Sequence, residues 1–133
     1  MDHPTADDLT RSPLLAALDP TMRAALAERF EVEDHKEGHR IVTEGQAGYA
    51  FYVIASGAAS VTHEGRELRT LGPGEYFGEI SILGEGRRTA TVTATEPTVV
   101  WALFGTTFRT MQMSQPDVAE ALQTAMRDRL AAG

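Results

Sequence analysis

The residues best suited to chemistry lie in the stretch YFGEISILGEGRRTATV, from Tyr76 to Val92. Glycines stand on both sides of a short apolar run, and two adjacent arginines follow it. The run Glu79–Leu83 has room for little more than one helical turn. The first backbone N–H groups of such a turn, at Ile80 and Ser81 in particular, can converge on an anion. The segment therefore predicts an anion-binding turn between two strands.

The charged side chains of this segment indicate which anion it suits. Arg88 carries a planar fork of N–H donors that matches two phosphate oxygens. Glu79 can only accept hydrogen bonds, so it repels a phosphate but suits a sugar hydroxyl group. Taken singly, Arg88 could be a solvated surface charge, and Glu79 could be an acid that stabilises a helix N-terminus. Together they predict a ligand with a phosphate beside a ribose hydroxyl.

The composition limits the classes of protein that fit. The chain has 133 residues, a net charge of −7 and no cysteine. This length suits a single domain with its own core. The absence of thiols fits a cytoplasmic location. The acidic balance opposes direct nucleic acid binding, and no apolar run approaches the length of a membrane span.

Periodicity divides the chain into three zones that must position the segment. Residues 1–29 form a predicted N-terminal helical segment. Over residues 30–104 the apolar period shifts towards two, and glycines separate short strands, as in a small antiparallel sandwich or roll. Residues 106–132 are predicted to be helical again.

Local signals place the helix starts. Asp19 can cap a helix whose first residue is Pro20. Near the C-terminus, Ser114 and Asp117 form a capping-box pattern, and Pro116 fits a first turn. The apolar face predicted for the last helix consists of Val118, Leu122, Ala125, Met126 and Leu130.

The segment and its surroundings resemble the cyclic nucleotide-binding domain family. The family's phosphate-binding cassette reads F-G-E-hydrophobic-A-L, then P-R-A/T/S-A-T, and here it stands as FGEISIL followed by RRTATV, with the cassette at residues 77–91. PLLAALDP, EGHRIVTEGQAGYAFYVIASGAASV and LGPGEYFGE extend the resemblance over nearly the whole chain. It implies a mainly β fold, in which an antiparallel, jelly-roll-like β-roll is flanked by an N-terminal helix, a short cassette helix and C-terminal helices.

The resemblance also implies roles for single residues. Arg88 would bind the phosphate, Glu79 would accept the ribose 2′-hydroxyl, and Thr89 would contact the phosphate or the purine. The complete expected ligand-binding set is Phe77, Gly78, Glu79, Ile80, Ser81, Arg88, Thr89 and Ala90. The chain departs from the family pattern at Ser81, where alanine is usual, and at Arg87, which replaces the usual proline. The second departure leaves open which arginine points inward.

The purine needs a cover, and the last helix is the candidate. Leu122 and Met126 could close over the base, or they could simply pack in the core. Arg127 or Arg129 could stack on the face of the base. The short matches PDVAEA and RDRLAAG resemble terminal helices of bacterial nucleotide-gated potassium-channel regulatory domains, and this resemblance favours Arg129 as the cap.

The expected function is that of a non-enzymatic cyclic nucleotide sensor. Cyclic AMP is the preferred ligand and cyclic GMP the alternative, since a threonine at position 89 is compatible with both. Binding would move the C-terminal helix. The partner would be a separate effector protein or a missing effector domain, and the initial Met1 with its acidic leader favours a stand-alone sensor. A homodimer through the helices stays open.

A cupin-like metal-binding β-roll protein or enzyme is the alternative class. Its metal would need convergent histidines, and the chain has His3, His35, His39 and His63. His35 and His39 are separated by a predicted turn, so their side chains need not converge. We therefore expect surface histidines and no metal.

Overall fold

Helices flank a run of strands at both ends of the chain. The computed structural model describes residues 3–45, 50–83 and 90–132, where the side chains of Ile80, Ser81 and Ala132 are left aside. The described helices are α1 Ala6–Leu9, α2 Pro13–Ala16, α3 Pro20–Ala27, α4 Ile80–Leu83, α5 Gly105–Ser114 and α6 Pro116–Ala132. The described strands are β1 Glu31–His35, β2 Arg40–Val42, β3 Ala50–Ser56, β4 Ala59–His63, β5 Arg66–Leu71, β6 Tyr76–Phe77, β7 Thr91–Ala94 and β8 Thr98–Phe104.

The strands form two antiparallel sheets. One sheet has the order β1-β8-β3-β6, and the other has the order β2-β7-β4-β5. Neighbouring strands are often distant in sequence, because the chain crosses between the two sheets several times. The result is the mainly β fold with flanking helices that the sequence predicts.

Strand β3 shows how one sheet serves two cores. Phe51 and Val53 are fully buried against the helices. Tyr52 and Ile54 point the other way, into the core between the sheets. Successive side chains of a strand alternate between its two faces, so a strand buried on both faces becomes continuously apolar. The segment AFYVIAS is such a strand, and it forms the centre of the protein.

The helix starts follow local chemistry. Asp19 caps α3 because its carboxylate accepts a 2.9 Å hydrogen bond from the N–H of Met22, and Pro20 is the first helical residue. Pro116 likewise opens α6. The predicted cap at Ser114 is wrong. That residue ends α5, and its hydroxyl donates to the carbonyl of Thr110 at 3.0 Å.

Helix α6 packs one face onto the rest of the protein. Val118, Leu122 and Met126 are buried in the core that also contains the apolar face of α3. The predicted apolar face is therefore correct over most of its length, but Leu130 is 54% exposed. No helix in the described ranges has the length and apolar character needed to span a membrane.

Candidate functional site

The cassette begins where β6 is held against the centre of the sheet. Phe77 pairs with Tyr52 across β6 and β3, and the two rings lie with centroids 4.9 Å apart and planes 17° apart. Phe77 is buried in the core between the sheets, so it anchors the chain immediately before the predicted ligand-binding residues. Gly78 follows with a φ of 85°, a left-handed conformation that glycine adopts without steric cost. The strand can therefore turn directly into α4.

Helix α4 is one turn that starts from Glu79. The carbonyl oxygen of Glu79 accepts hydrogen bonds from the N–H groups of Ile82 and Leu83, both at 2.9 Å. The N–H groups of Ile80 and Ser81 lie nearer the start, where helical N–H groups have no partner within their own helix. This is the arrangement that the sequence predicts for holding an anion, and both residues belong to α4.

A cavity of about 370 Å³ opens beside this turn, and we call it the Glu79 cavity. It joins four elements of the fold. Glu79 comes from the cassette, Tyr76 from β6, Arg69 from β5 and Arg129 from α6, while Pro13 and Leu14 of α2, Gly74, Glu75 and Leu130 complete the lining. Two arginines and two glutamates thus line a space of the size that binds small molecules.

The pKa of the Tyr76 phenol depends on charged residues that line this cavity. Its ring packs against Phe51 with centroids 5.7 Å apart. Burial raises the pKa of the Tyr76 phenol, and the nearby carboxylate of Glu79 raises it further. The charge of Arg129, a side-chain hydrogen bond from the same residue and the charge of Arg69 act in the opposite direction. The phenol therefore lies within the fields of all three charged side chains.

The four residues predicted to cover the purine lie in three different places in the structure. Leu122 and Met126 are fully buried in the core, so in this arrangement of α6 they pack on protein. Arg127 lines a separate groove beside Gln123. Of the four predicted cover residues, Arg129 is the one that lines the Glu79 cavity.

A direct hydrogen bond connects α6 to the cassette helix. The side-chain amide of Gln123 donates to the carbonyl oxygen of Ile82 at 3.1 Å. Ile82 itself is buried in the same core as Leu122. The last helix is thus joined to the end of α4 by both packing and a polar contact.

The remaining residues of the expected site belong to the second half of the cassette. Arg88 and Thr89, together with Arg87, lie outside the described residues. Ala90, at the end of the set, is half-buried and packs against the core between the sheets. The described part of the predicted ligand site therefore consists of Phe77, Gly78, Glu79, α4 and Ala90.

Arg69 and Tyr76 line the cavity but were not predicted as site residues. Arg69 pairs with Val61 of β4 and stands two residues before Leu71, and both of these apolar residues are buried in the core between the sheets. Residues two apart on a strand share a face, so Arg69 lies on the same face of this edge strand as Leu71, and it lines the Glu79 cavity. The two-residue spacing between the charged Arg69 and the buried Leu71 is the sequence signal that could have revealed Arg69 as a lining residue.

The histidines do not follow the expectation fully. The Nδ1 atoms of His35 and His39 approach to 2.6 Å, so these side chains do converge across their turn. The Nε2 atom of His35 lies 3.0 Å from a carboxylate oxygen of Glu33. They converge because backbone hydrogen bonds join both Gly38 and His39 to Ala94 and fix the turn. Within the described ranges, no group of three or more histidine and acidic side chains is arranged to hold a metal ion.

Comparisons with known proteins agree with this geometry. A family model described as the cyclic nucleotide-binding domain matches residues 32–115. The chain is 37% identical over 124 residues to the cyclic AMP receptor protein of Thermus thermophilus. This alignment covers 90% of this chain and 57% of that protein. It is 34% identical over 96 residues to a cAMP-dependent protein kinase regulatory subunit of Yarrowia lipolytica, covering 72% of this chain and 26% of that protein.

A solved structure of similar size has the same fold. The N-terminal domain of a transcriptional regulator from Streptomyces coelicolor superposes with a TM-score of 0.80 at 34% identity, covering 95% of this chain and 94% of that one. The two curated relatives are longer, and this chain spans 57% and 26% of their lengths. The matched segment contains the cassette and the strands that hold it, and the chain belongs to the cyclic nucleotide-binding domain family.

Proposed function

We propose that residues 1–133 form one sensor domain that prefers cyclic AMP and couples its capture to movement of the C-terminal helix. The observation that carries this proposal is the Glu79 cavity, which brings a ribose-binding candidate from the cassette together with Arg129 of α6. The names of the relatives support the ligand, because one is a cyclic AMP receptor protein and another belongs to a cAMP-dependent kinase. The proposed role is binding, without catalysis.

The nucleotide would lie across the cassette with its phosphate and base at opposite ends. Arg88 and the N–H groups of Ile80 and Ser81 would hold the phosphate, since a guanidinium fork and a helix N-terminus both favour anions. Glu79 would accept the ribose 2′-hydroxyl. Arg129 would then lie over the purine, because it shares a cavity with Glu79.

Coupling would pass through the contact between α4 and α6. A ligand shifts a conformational equilibrium only if it binds one arrangement better than the other. Nucleotide capture would reposition α4, and the bond from Gln123 to Ile82 would transmit this change to α6. Because Leu122 and Met126 belong to the core, movement of α6 is needed before either can meet a base.

Cyclic GMP is the second candidate ligand, and Arg69 supports it. A guanidinium donates two hydrogen bonds to O6 and N7 of guanine, whereas adenine presents a donor amine in place of O6. Arg69 lines the cavity that also contains Glu79 and Arg129. Its presence would raise affinity for guanine relative to adenine, so the two nucleotides must be compared directly.

The partner is proposed to be an effector protein or an effector domain that α6 controls. The curated relatives are longer than this chain, which is consistent with either arrangement. A homodimer through the helices and a cytoplasmic location stay predictions from the sequence.

Calorimetric titrations of the purified protein with cyclic AMP, cyclic GMP and linear AMP test the proposal. We expect saturable binding of one nucleotide per chain, with cyclic AMP the tightest ligand and linear AMP much the weakest. Tighter binding of cyclic GMP would correct the ligand preference alone. No saturable binding of either cyclic nucleotide would contradict the sensor function.

A further inference from the structure

A second cavity lies between α6 and the start of α3. It has a volume of about 510 Å³ and is lined by ten residues of these two regions and the preceding turn. Leu18 and Met22 form one wall, and Ala121 and Ala125 form the other. The alanines are four residues apart, so they lie on one face of α6 and leave room for larger side chains. These four residues form an apolar surface, which we call the floor of the groove, and it leaves room for a partner's side chains.

The charged residues that line this groove are all acidic, so we call it the acidic groove. They are Asp19 on the α3 side and Asp117, Glu120 and Asp128 along α6. The three acids of α6 follow one edge of the helix over about three turns. Asp19 caps α3 by accepting a hydrogen bond from the Met22 N–H. None of these four carboxylates takes part in an ion pair within the described part of the chain.

We propose that the acidic groove is a docking site for a basic amphipathic helix of an effector protein. An amphipathic helix presents an apolar stripe at three- and four-residue spacing, which matches the floor, and flanking lysines or arginines would match the acids. The charge pattern disfavours other occupants. A second copy using the same groove would bring like charges together, and a nucleic acid or an anionic membrane would be repelled.

The position of the groove gives it a regulatory meaning. Helix α6 contacts the cassette helix through Gln123 and lines the acidic groove through Ala121 and Ala125. A change in α6 on nucleotide binding would therefore alter the groove, and linkage requires that docking alters nucleotide affinity by the same factor. This regulatory meaning rests on the proposed function, whereas docking of the helix does not.

Fluorescence anisotropy with a labelled leucine–lysine peptide, patterned as an amphipathic helix of about four turns, tests the docking site. The first variant combines Asp117→Asn, Glu120→Gln and Asp128→Asn. Its matched control combines Glu31→Gln, Glu37→Gln and Glu96→Gln, which remove equal charge from exposed positions outside the groove. We expect about a tenfold or greater loss of peptide affinity for the groove variant and less than about a threefold loss for the control.

A variant of unchanged net charge tests the apolar floor separately. Ala125→Tyr fills the groove without adding charge, and we expect it also to weaken the peptide about tenfold or more. Circular dichroism of each variant verifies that it is folded. Equal losses in the groove and control variants would show general charge attraction, and unchanged affinity in Ala125→Tyr would show that the floor is not used. Either result overturns the proposal.

Two further readouts separate this proposal from its alternatives. Sedimentation of the protein alone should show no self-association that depends on Asp117, Glu120 and Asp128. Such self-association would assign the groove to a second copy and overturn the helix proposal. Peptide titrations with and without cyclic AMP complete the test. Peptide binding in a protein that binds no cyclic nucleotide would support the docking site while contradicting the proposed sensor function.

Discussion

The side-chain amide of Gln123 lies 3.1 Å from the carbonyl oxygen of Ile82 and donates a hydrogen bond to it. The donor belongs to the last helix and the acceptor to the single turn of the cassette. Helix carbonyls near a C-terminus lack partners within their own helix, so an external donor stabilises that end. This contact gives the two elements a defined relative position, which a sensor mechanism requires.

Replacing Gln123 by leucine should weaken this connection. We expect the free energy of unfolding to fall by about 0.5–1.5 kcal/mol, because one hydrogen bond to a half-buried group is lost. Hydrogen exchange should also show a smaller nucleotide-induced change in the amides of α6. Gln112→Leu, an exposed substitution on α5, is the control. Equal effects of the two substitutions on α6 exchange would remove Gln123 from the coupling path.

The phenol of Tyr76 should show a distinctive alkaline titration. Burial, aided by Glu79, raises its pKa, so the folded state holds the phenolic proton more tightly than the unfolded chain. The resulting stabilisation is complete below the ordinary pKa of tyrosine and is lost as the pH rises through the raised value. Tyr76→Phe should therefore flatten this part of the stability curve, as measured by denaturation at increasing pH.

The same pKa offers a test of the charges around the Glu79 cavity. Arg129→Ala should raise the pKa of Tyr76 further, because it removes a positive charge and a hydrogen bond that favour the phenolate. Glu79→Gln should lower it. Arg127→Ala is the control, since Arg127 lines a different groove. Nuclear magnetic resonance of the tyrosine ring can follow each titration, and an unchanged pKa in Arg129→Ala would contradict this description of the cavity.

Arg129 should contribute to nucleotide affinity from the far side of the cavity. A guanidinium stacked on an aromatic face contributes about 0.5–2 kcal/mol, so Arg129→Ala should weaken cyclic AMP binding by about 2- to 30-fold. Arg127→Ala should change it little. The point substitution is a cleaner test than truncation after Leu122, because truncation also removes Met126 from the core. Equal affinities for the two variants and the wild type would argue against a cap at Arg129.

Arg69 should influence selectivity more than general affinity. A bidentate contact to guanine is worth about 1–3 kcal/mol of discrimination. Arg69→Ala should therefore weaken cyclic GMP by about 5- to 150-fold and cyclic AMP much less. Arg66→Ala, at the start of the same strand, is the matched control. Parallel losses for both nucleotides would assign Arg69 a general electrostatic role.

The sequence predicted those parts of the fold that depend on local chemistry. Asp19 and Pro20 act within one turn of the helix they start, and the alternation in β3 reflects its own two buried faces. Ser114 failed as a cap because α5 and α6 are separated by Gln115 alone, so the serine is still inside the preceding helix. A short capping motif does not indicate where the preceding helix ends.

The site was less predictable because its residues meet through tertiary packing. The spacing of Arg129 on α6 does not say which of two grooves it faces, and Arg69 lies on β5, outside the cassette motif. His35 and His39 converge because hydrogen bonds to Ala94 fix their turn, and this partner is remote from the DHKEGH pattern. The roles of the cassette residues stay predictions, and they could be made from the sequence because the motif itself carries the chemistry.

The proposed sensor function depends on Arg88 and the N-terminus of α4 holding a cyclic phosphate. Calorimetry with cyclic AMP on Arg88→Ala, Arg88→Lys and Arg87→Ala tests it most directly, since the two arginines are adjacent and equally charged. We expect Arg88→Ala to weaken binding by roughly 2–5 kcal/mol, about thirtyfold or more, with partial recovery in Arg88→Lys and little change in Arg87→Ala. Unchanged affinity in Arg88→Ala, or a loss of affinity in Arg87→Ala instead, would show that Arg88 does not hold the phosphate.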